Sequence, residues 1–129
     1  MKPLLSRLML LLPLVLYASS ASAQFGGAWQ VNGNVSDTAF ILDCTFEPNG
    51  AEFGGTCVEE ASGDPKVHAG KNHTLTAGTA AGDQVNWTYK SSFLFTTFDV
   101  SFSGTLDKDR IAGTVTAAGR KGAFTAVRK

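Results

Sequence analysis

The segment Gln84-Val85-Asn86-Trp87-Thr88-Tyr89-Lys90 sets an apolar side chain at every second position and a polar one between. A period of two sends alternate side chains to opposite faces of an extended chain, so one face is buried and the other is solvated. The same alternation recurs from Ala28 onward, interrupted by short runs of Gly, Asn, Asp and Pro. No window carries an apolar period of helical length. The Leu distribution sharpens this reading. Eight of the 12 Leu lie in the first 16 residues, whereas all 14 Gly, all 9 Phe and all 13 Thr lie beyond residue 23. Few Leu with many Thr, Phe, Val and Gly is the composition of strands and tight turns.

Eight strands follow from the alternation. The first covers about 28–35, with Trp29, Val31 and Val35 on one face. The second covers about 39–47 and aligns Phe40, Leu42, Cys44 and Phe46. Pro48-Asn49-Gly50-Ala51 predicts a turn of about four residues, and the third strand, about 52–58, aligns Phe53, Gly55 and Cys57. Residues 59–65 read as a polar loop, and 66–71 are weakly patterned. Strands over about 73–79 and 84–90 come next, then a bend at Ser91-Ser92. A long strand over about 93–106 and strands over about 110–117 and 123–128 complete the set, with the last turn at 119–122. Short connections and no long crossover predict an all-β, eight-stranded antiparallel up-and-down β-barrel; a β-sandwich is the alternative. Eight strands enclose a space wide enough for packed side chains or one small ligand.

The first 23 residues carry the marks of a signal peptide. Lys2 and Arg7 precede the apolar run Leu8–Leu16, and Ala21-Ser22-Ala23 is a small-residue cleavage site ahead of Gln24. The apolar run is shorter than the roughly 20 residues that span a bilayer. The reading is therefore a leader at 1–23, a single barrel domain at 24–129, and no membrane span after cleavage. The short Leu-rich leader is of a bacterial kind, and the expected location is secreted or periplasmic. Of the 11 basic residues, Lys2 and Arg7 leave with the leader, so 9 face 11 acidic ones and the net charge is −2. That balance argues against a nucleic-acid partner. The 2 Cys of the chain, Cys44 and Cys57, share a face of one predicted hairpin. In an oxidising compartment they should form a cross-strand disulfide.

The chain ends, Gly27-Ala28-Trp29 and Ala126-Val127-Arg128-Lys129, resemble those of the calycin superfamily of lipocalins, fatty-acid-binding proteins and avidins. In that superfamily a basic side chain of the last strand covers a first-strand Trp and closes one barrel mouth. The resemblance assigns this closure to Trp29 and Arg128. The layout is most similar to avidins: Gln84–Lys90 resembles the strand with a ligand-stacking Trp, Ser101-Phe102-Ser103-Gly104 the next, and Gly122–Arg128 the last. The avidin ligand residues are missing, however. Phe102, Val115, Gly122, Val31, Phe98 and Val100 occupy positions where Trp, Asp, Asn or hydroxyl side chains stand in avidins, and only Trp87 matches. The resemblance implies the fold and not biotin binding.

No catalytic constellation is legible. The 2 His, His68 and His73, read as surface residues, because two imidazoles without a nearby carboxylate or Cys make a poor metal set. Asp43, Glu47 and Glu52 read as the solvated face of a hairpin. No cofactor and no metal is called for, and the chain reads as non-enzymatic. Phe40, Phe46, Phe53, Trp87, Tyr89, Phe98, Phe102 and Phe124 form the inward aromatic set that fills the barrel or lines a cavity. Phe93-Leu94-Phe95 predicts an apolar surface patch, a candidate binding or oligomer contact. The leading reading is a binding module for an apolar small molecule or a protein partner. One alternative is a periplasmic inhibitor of a secreted metalloprotease, whose family shares the leader, the disulfide and the G-x-W start. Its inhibitory segment precedes the barrel, where this chain offers Gln24, Phe25 and Gly26. The other alternative is a structural envelope protein.

Overall fold

In the computed structural model, which describes residues 25–60 and 69–129, the strands close into a ring. The predicted leader, Gln24 and His68 lie outside the described residues. The strands are β1 (Gly27–Val35), β2 (Thr38–Asn49), β3 (Glu52–Glu59), β4 (Asn72–Ala81), β5 (Gln84–Phe93), β6 (Thr96–Asp107), β7 (Arg110–Ala117) and β8 (Arg120–Arg128). Each pairs antiparallel with its sequence neighbour, and β1 also pairs with β8 from Trp29↔Arg128 to Val35↔Gly122. The all-β up-and-down barrel is thus the observed architecture, and the sandwich is not. Among the described residues no helix is long and apolar enough to cross a membrane. Along β1 and β5 the inward Trp29, Val31, Val85, Trp87 and Tyr89 are buried, while Asn32, Asn34, Asn86 and Lys90 face outward and are exposed. A membrane barrel shows the opposite pattern, apolar outside and polar within.

Six of the seven connections are two-residue turns: 36–37, 50–51, 82–83, 94–95, 108–109 and 118–119. In each, the first turn residue has a positive φ: Ser36 50°, Gly50 69°, Gly82 62°, Leu94 59°, Lys108 60° and Ala118 51°. Positive φ at this place matches the twist of the turn to that of the flanking strands. Only Gly50 and Gly82 advertise it in the sequence, and the boundaries beside Leu94 and Ala118 are displaced for that reason. The β2–β3 turn is Gly50-Ala51 rather than a four-residue loop, with Pro48 opposite Phe53 in the ladder. The predicted bend at Ser91-Ser92 is absent, because both residues continue the ladder opposite Phe98 and Thr97. The long strand at 93–106 begins instead at Thr96, and Leu94-Phe95 form the hairpin tip. β8 likewise starts at Arg120, not 123.

Cys44 and Cys57 stand directly opposite each other and are joined, with Cα atoms 4.0 Å apart. The remainder of the core divides by barrel end. At the end with the turns at 50–51, 82–83 and 108–109, aromatic rings fill the interior. Phe25, fully buried, enters from the start of β1 and meets Trp29 (5.5 Å between ring centres), Phe46 (4.4 Å), Phe53 (4.6 Å) and Trp87 (5.6 Å). Trp87 stacks on Phe102 at 4.8 Å, and Phe124 meets Phe102 edge-on at 5.2 Å. Trp29 Nε1 donates to the Phe25 carbonyl at 2.7 Å, which fixes the plug. Arg128 lies over the Trp29 ring at 4.4 Å and donates to the Gly26 carbonyl at 2.7 Å and to Asp109 at 2.9 Å. A guanidinium over an indole contributes about 0.5–2 kcal/mol.

Two stability outcomes follow. Phe25→Ala should cost about 3–5 kcal/mol, the usual effect of emptying a buried aromatic site, measured as a shift of the urea midpoint at unchanged m. The disulfide encloses a separation of 13 residues. Its replacement by Cys44→Ser/Cys57→Ser should cost about 3 kcal/mol by the chain-entropy estimate, and dithiothreitol should reproduce that loss in the parent chain.

Candidate ligand cavity

Among the described residues the other end of the barrel is open. Its turns are 36–37, 94–95 and 118–119. A cavity of about 530 Å³ lies inside this end. Leu42, Val100 and Val115 form its buried apolar base, and Phe40, Tyr89 and Phe98 its aromatic wall. Phe40 can lie flat within the barrel because residue 33 is Gly: a Cβ at Gly33 would occupy the position of the Phe40 ring. Phe102 supports Phe40 from below, 6.2 Å between ring centres.

Of the eight rings in the predicted aromatic set, Phe40, Tyr89 and Phe98 line the cavity. Phe46, Phe53, Trp87, Phe102 and Phe124 do not; they are packed against one another and Phe25 in the closed end. The difference has a geometric cause. Alternation distinguishes inside from outside, but says nothing about height along the barrel axis. Phe25 was outside the predicted set altogether, because it precedes the first alternating segment. Trp87 Nε1 is buried without a hydrogen-bond partner among the described residues. It has none to find, because its neighbours are hydrocarbon rings.

His73 corrects the reading of a surface histidine. It is 4% exposed and lies on β4 behind the cavity wall. Its ring stacks on Tyr89 at 4.4 Å, its Nδ1 meets the Lys90 carbonyl at 3.2 Å, and its Nε2 contacts Glu59 Oε2. A carbonyl only accepts, so Nδ1 carries a hydrogen. Nε2 then faces the Glu59 carboxylate, so both ring nitrogens have a partner. The sequence placed no carboxylate near His73, because Glu59 comes from β3 across a 14-residue separation. Among the described residues no three His, Cys, Asp or Glu side chains gather into a metal site.

The cavity mouth is polar. Ser36, Thr38, Ser91 and Ser92 line it, with Lys71 and Arg120. Lys71 Nζ reaches Ser92 Oγ at 3.4 Å, and Arg120 Nη1 reaches Ser36 Oγ at 3.4 Å. Both distances are at the weak limit of hydrogen bonding. Phe93 joins the lining, while Leu94 and Phe95 project into solvent, 80% and 104% exposed.

No family model matches this chain, and neither does any curated protein. Solved structures do. One is a redesigned β-barrel, b11L5F_LGL, 18% identical with a TM-score of 0.65, covering 88% of this chain and 99% of its own. Another is a redesigned β-barrel, mFAP1, bound to DFHBI; it is 19% identical with a TM-score of 0.55, covering 85% of this chain and 100% of its own. At these identities the likeness is one of fold: a small eight-stranded barrel.

Tyr89 is a titration probe of the wall. Burial, and secondarily the Glu59 charge, push its phenol well above the ordinary value of 10.0. A raised folded pKa favours the neutral form. The associated stability is present below pH 10 and is lost as pH rises beyond it, because only the unfolded chain releases the proton. In a chain starting at Gln24, Tyr89 is the sole tyrosine. Tyrosinate absorbance at 295 nm should therefore appear only together with unfolding. Above pH 10 the parent should lose up to about 1.4 kcal/mol per pH unit relative to Tyr89→Phe.

Proposed function

We propose that this chain is a secreted, non-enzymatic binding protein that holds an apolar small molecule in the open end of its barrel. The observation carrying this reading is the cavity of about 530 Å³ with an apolar base and a polar mouth, in a barrel whose other end is filled. Small-molecule sites are of this size, about 300–1,000 Å³, and of this build. The barrel bound to DFHBI supports it, since there a small-molecule dye occupies a barrel of similar layout. The disulfide and the leader-like start of the sequence support export.

The protease-inhibitor alternative is less well supported. It needs the residues ahead of the first strand to reach outward, and Phe25 is buried inside the barrel end.

N-phenyl-1-naphthylamine, an uncharged dye that brightens in apolar surroundings, tests the reading. The parent should bind one dye per chain. Ala117→Trp, which places a ring into the cavity lining, should weaken that binding at least tenfold while leaving the β-sheet circular dichroism unchanged. A parent chain that does not bind, or a variant that binds equally well, would overturn it.

A further inference from the structure

We infer that the cavity selects apolar molecules carrying a single anionic head group, held at the mouth by Lys71 and Arg120. The inference rests on the ligand-site reading above and adds the chemical class of the ligand. It starts from the charge balance of the lining, which among the described residues has three formally charged side chains: Glu59, Lys71 and Arg120. Glu59 is engaged from behind by His73 Nε2, so its carboxylate is already tied into the wall. Lys71 and Arg120 have no such partner among the described residues. Among the described residues neither meets a carboxylate, and each has only a serine hydroxyl at 3.4 Å. Elsewhere on the barrel Lys90, Arg128 and Lys129 each hold an aspartate at 2.7–2.9 Å.

Placement strengthens the case. Lys71 immediately precedes β4, and Arg120 opens β8. Three strands lie between β4 and β8 in either direction round the ring of eight, so the two cations stand on opposite sides of the mouth. Hydroxyls of Ser36, Thr38, Ser91 and Ser92 lie around the same rim. A molecule with its apolar body on Leu42, Val100 and Val115 would bring its head to this ring of donors. Its body would also displace water from beneath the cations, which strengthens their pull on an anion. A cationic head would meet two like charges there. An uncharged head would gain hydrogen bonds to the hydroxyls but no charge-assisted bond, and charge-assisted bonds are the stronger class.

Competition against N-phenyl-1-naphthylamine at pH 7.5 and low salt separates these cases with three ten-carbon ligands: decanoate, 1-decanol and decyltrimethylammonium. Decanoate should displace the dye at about one-tenth the concentration that decanol needs, the scale of one charge-assisted bond, and the ammonium compound should be weakest. Lys71→Met/Arg120→Met should remove the decanoate advantage and leave decanol unchanged. Both side chains are at the rim, so the thermal midpoint of the variant should match the parent. If decanol displaces the dye as well as decanoate does, or the variant keeps the preference, the anionic assignment is wrong and the cavity reading stands. If neither the dye nor any of the three ligands binds, the cavity reading falls and this inference with it.

Discussion

The pairing of β1 with β8 is the constraint on which the rest depends. Seven neighbouring pairings would make a strongly twisted sheet with two open edges and one apolar face in water. The eighth, from Trp29↔Arg128 to Val35↔Gly122, converts that face into an interior and removes both edges. Closure also brings Arg128 over Trp29 and its guanidinium to the Gly26 carbonyl. The last strand thus holds the residues that precede the first, and Phe25 is carried into the barrel. Sheet closure, cation and plug form one device at one end of the molecule.

The asymmetry of the interior follows from that device. A short eight-stranded barrel has room for about one ligand or for packed side chains. Here the interior is divided. Two indoles and five benzene rings occupy the end near Phe25, while Leu42, Val100, Val115 and Ala117 leave the other end underfilled. Any side chain at position 33 would displace the Phe40 ring from its place in the cavity wall. Rigid filling below and small or flat side chains above make a cup, and on the proposed reading its base does not have to rearrange to accept a ligand. Such preorganisation lowers the ordering cost of binding.

Much of this was legible in the sequence. The period of two marks all eight strands and the inward faces of most of them, and the compatible faces of Cys44 and Cys57 lead to their pairing. What stayed hidden has physical reasons. Leu94, Lys108 and Ala118 accept a positive φ that Gly or Asn would have announced, so turn positions slipped by one to three residues. His73 looked solitary because its partners Glu59, Tyr89 and the Lys90 carbonyl reach it across three strands. Phe25 escaped because a plug has no periodicity. The division between cavity-lining and space-filling rings depends on stagger along the axis, which alternation does not encode.

The six two-residue turns have a kinetic consequence. Every pairing except two joins strands separated by a couple of residues, so those hairpins can zip without waiting for distant parts of the chain. The β3–β4 connection is longer, and the β1–β8 contact spans nearly the whole barrel sequence. Loop-closure entropy makes such a contact slow to nucleate. Until it forms, β1 and β8 present bare backbone edges and an uncovered apolar face. The barrel is therefore most exposed to mispairing with another copy just before its ends meet, when nearly all of its native hairpins are already in place.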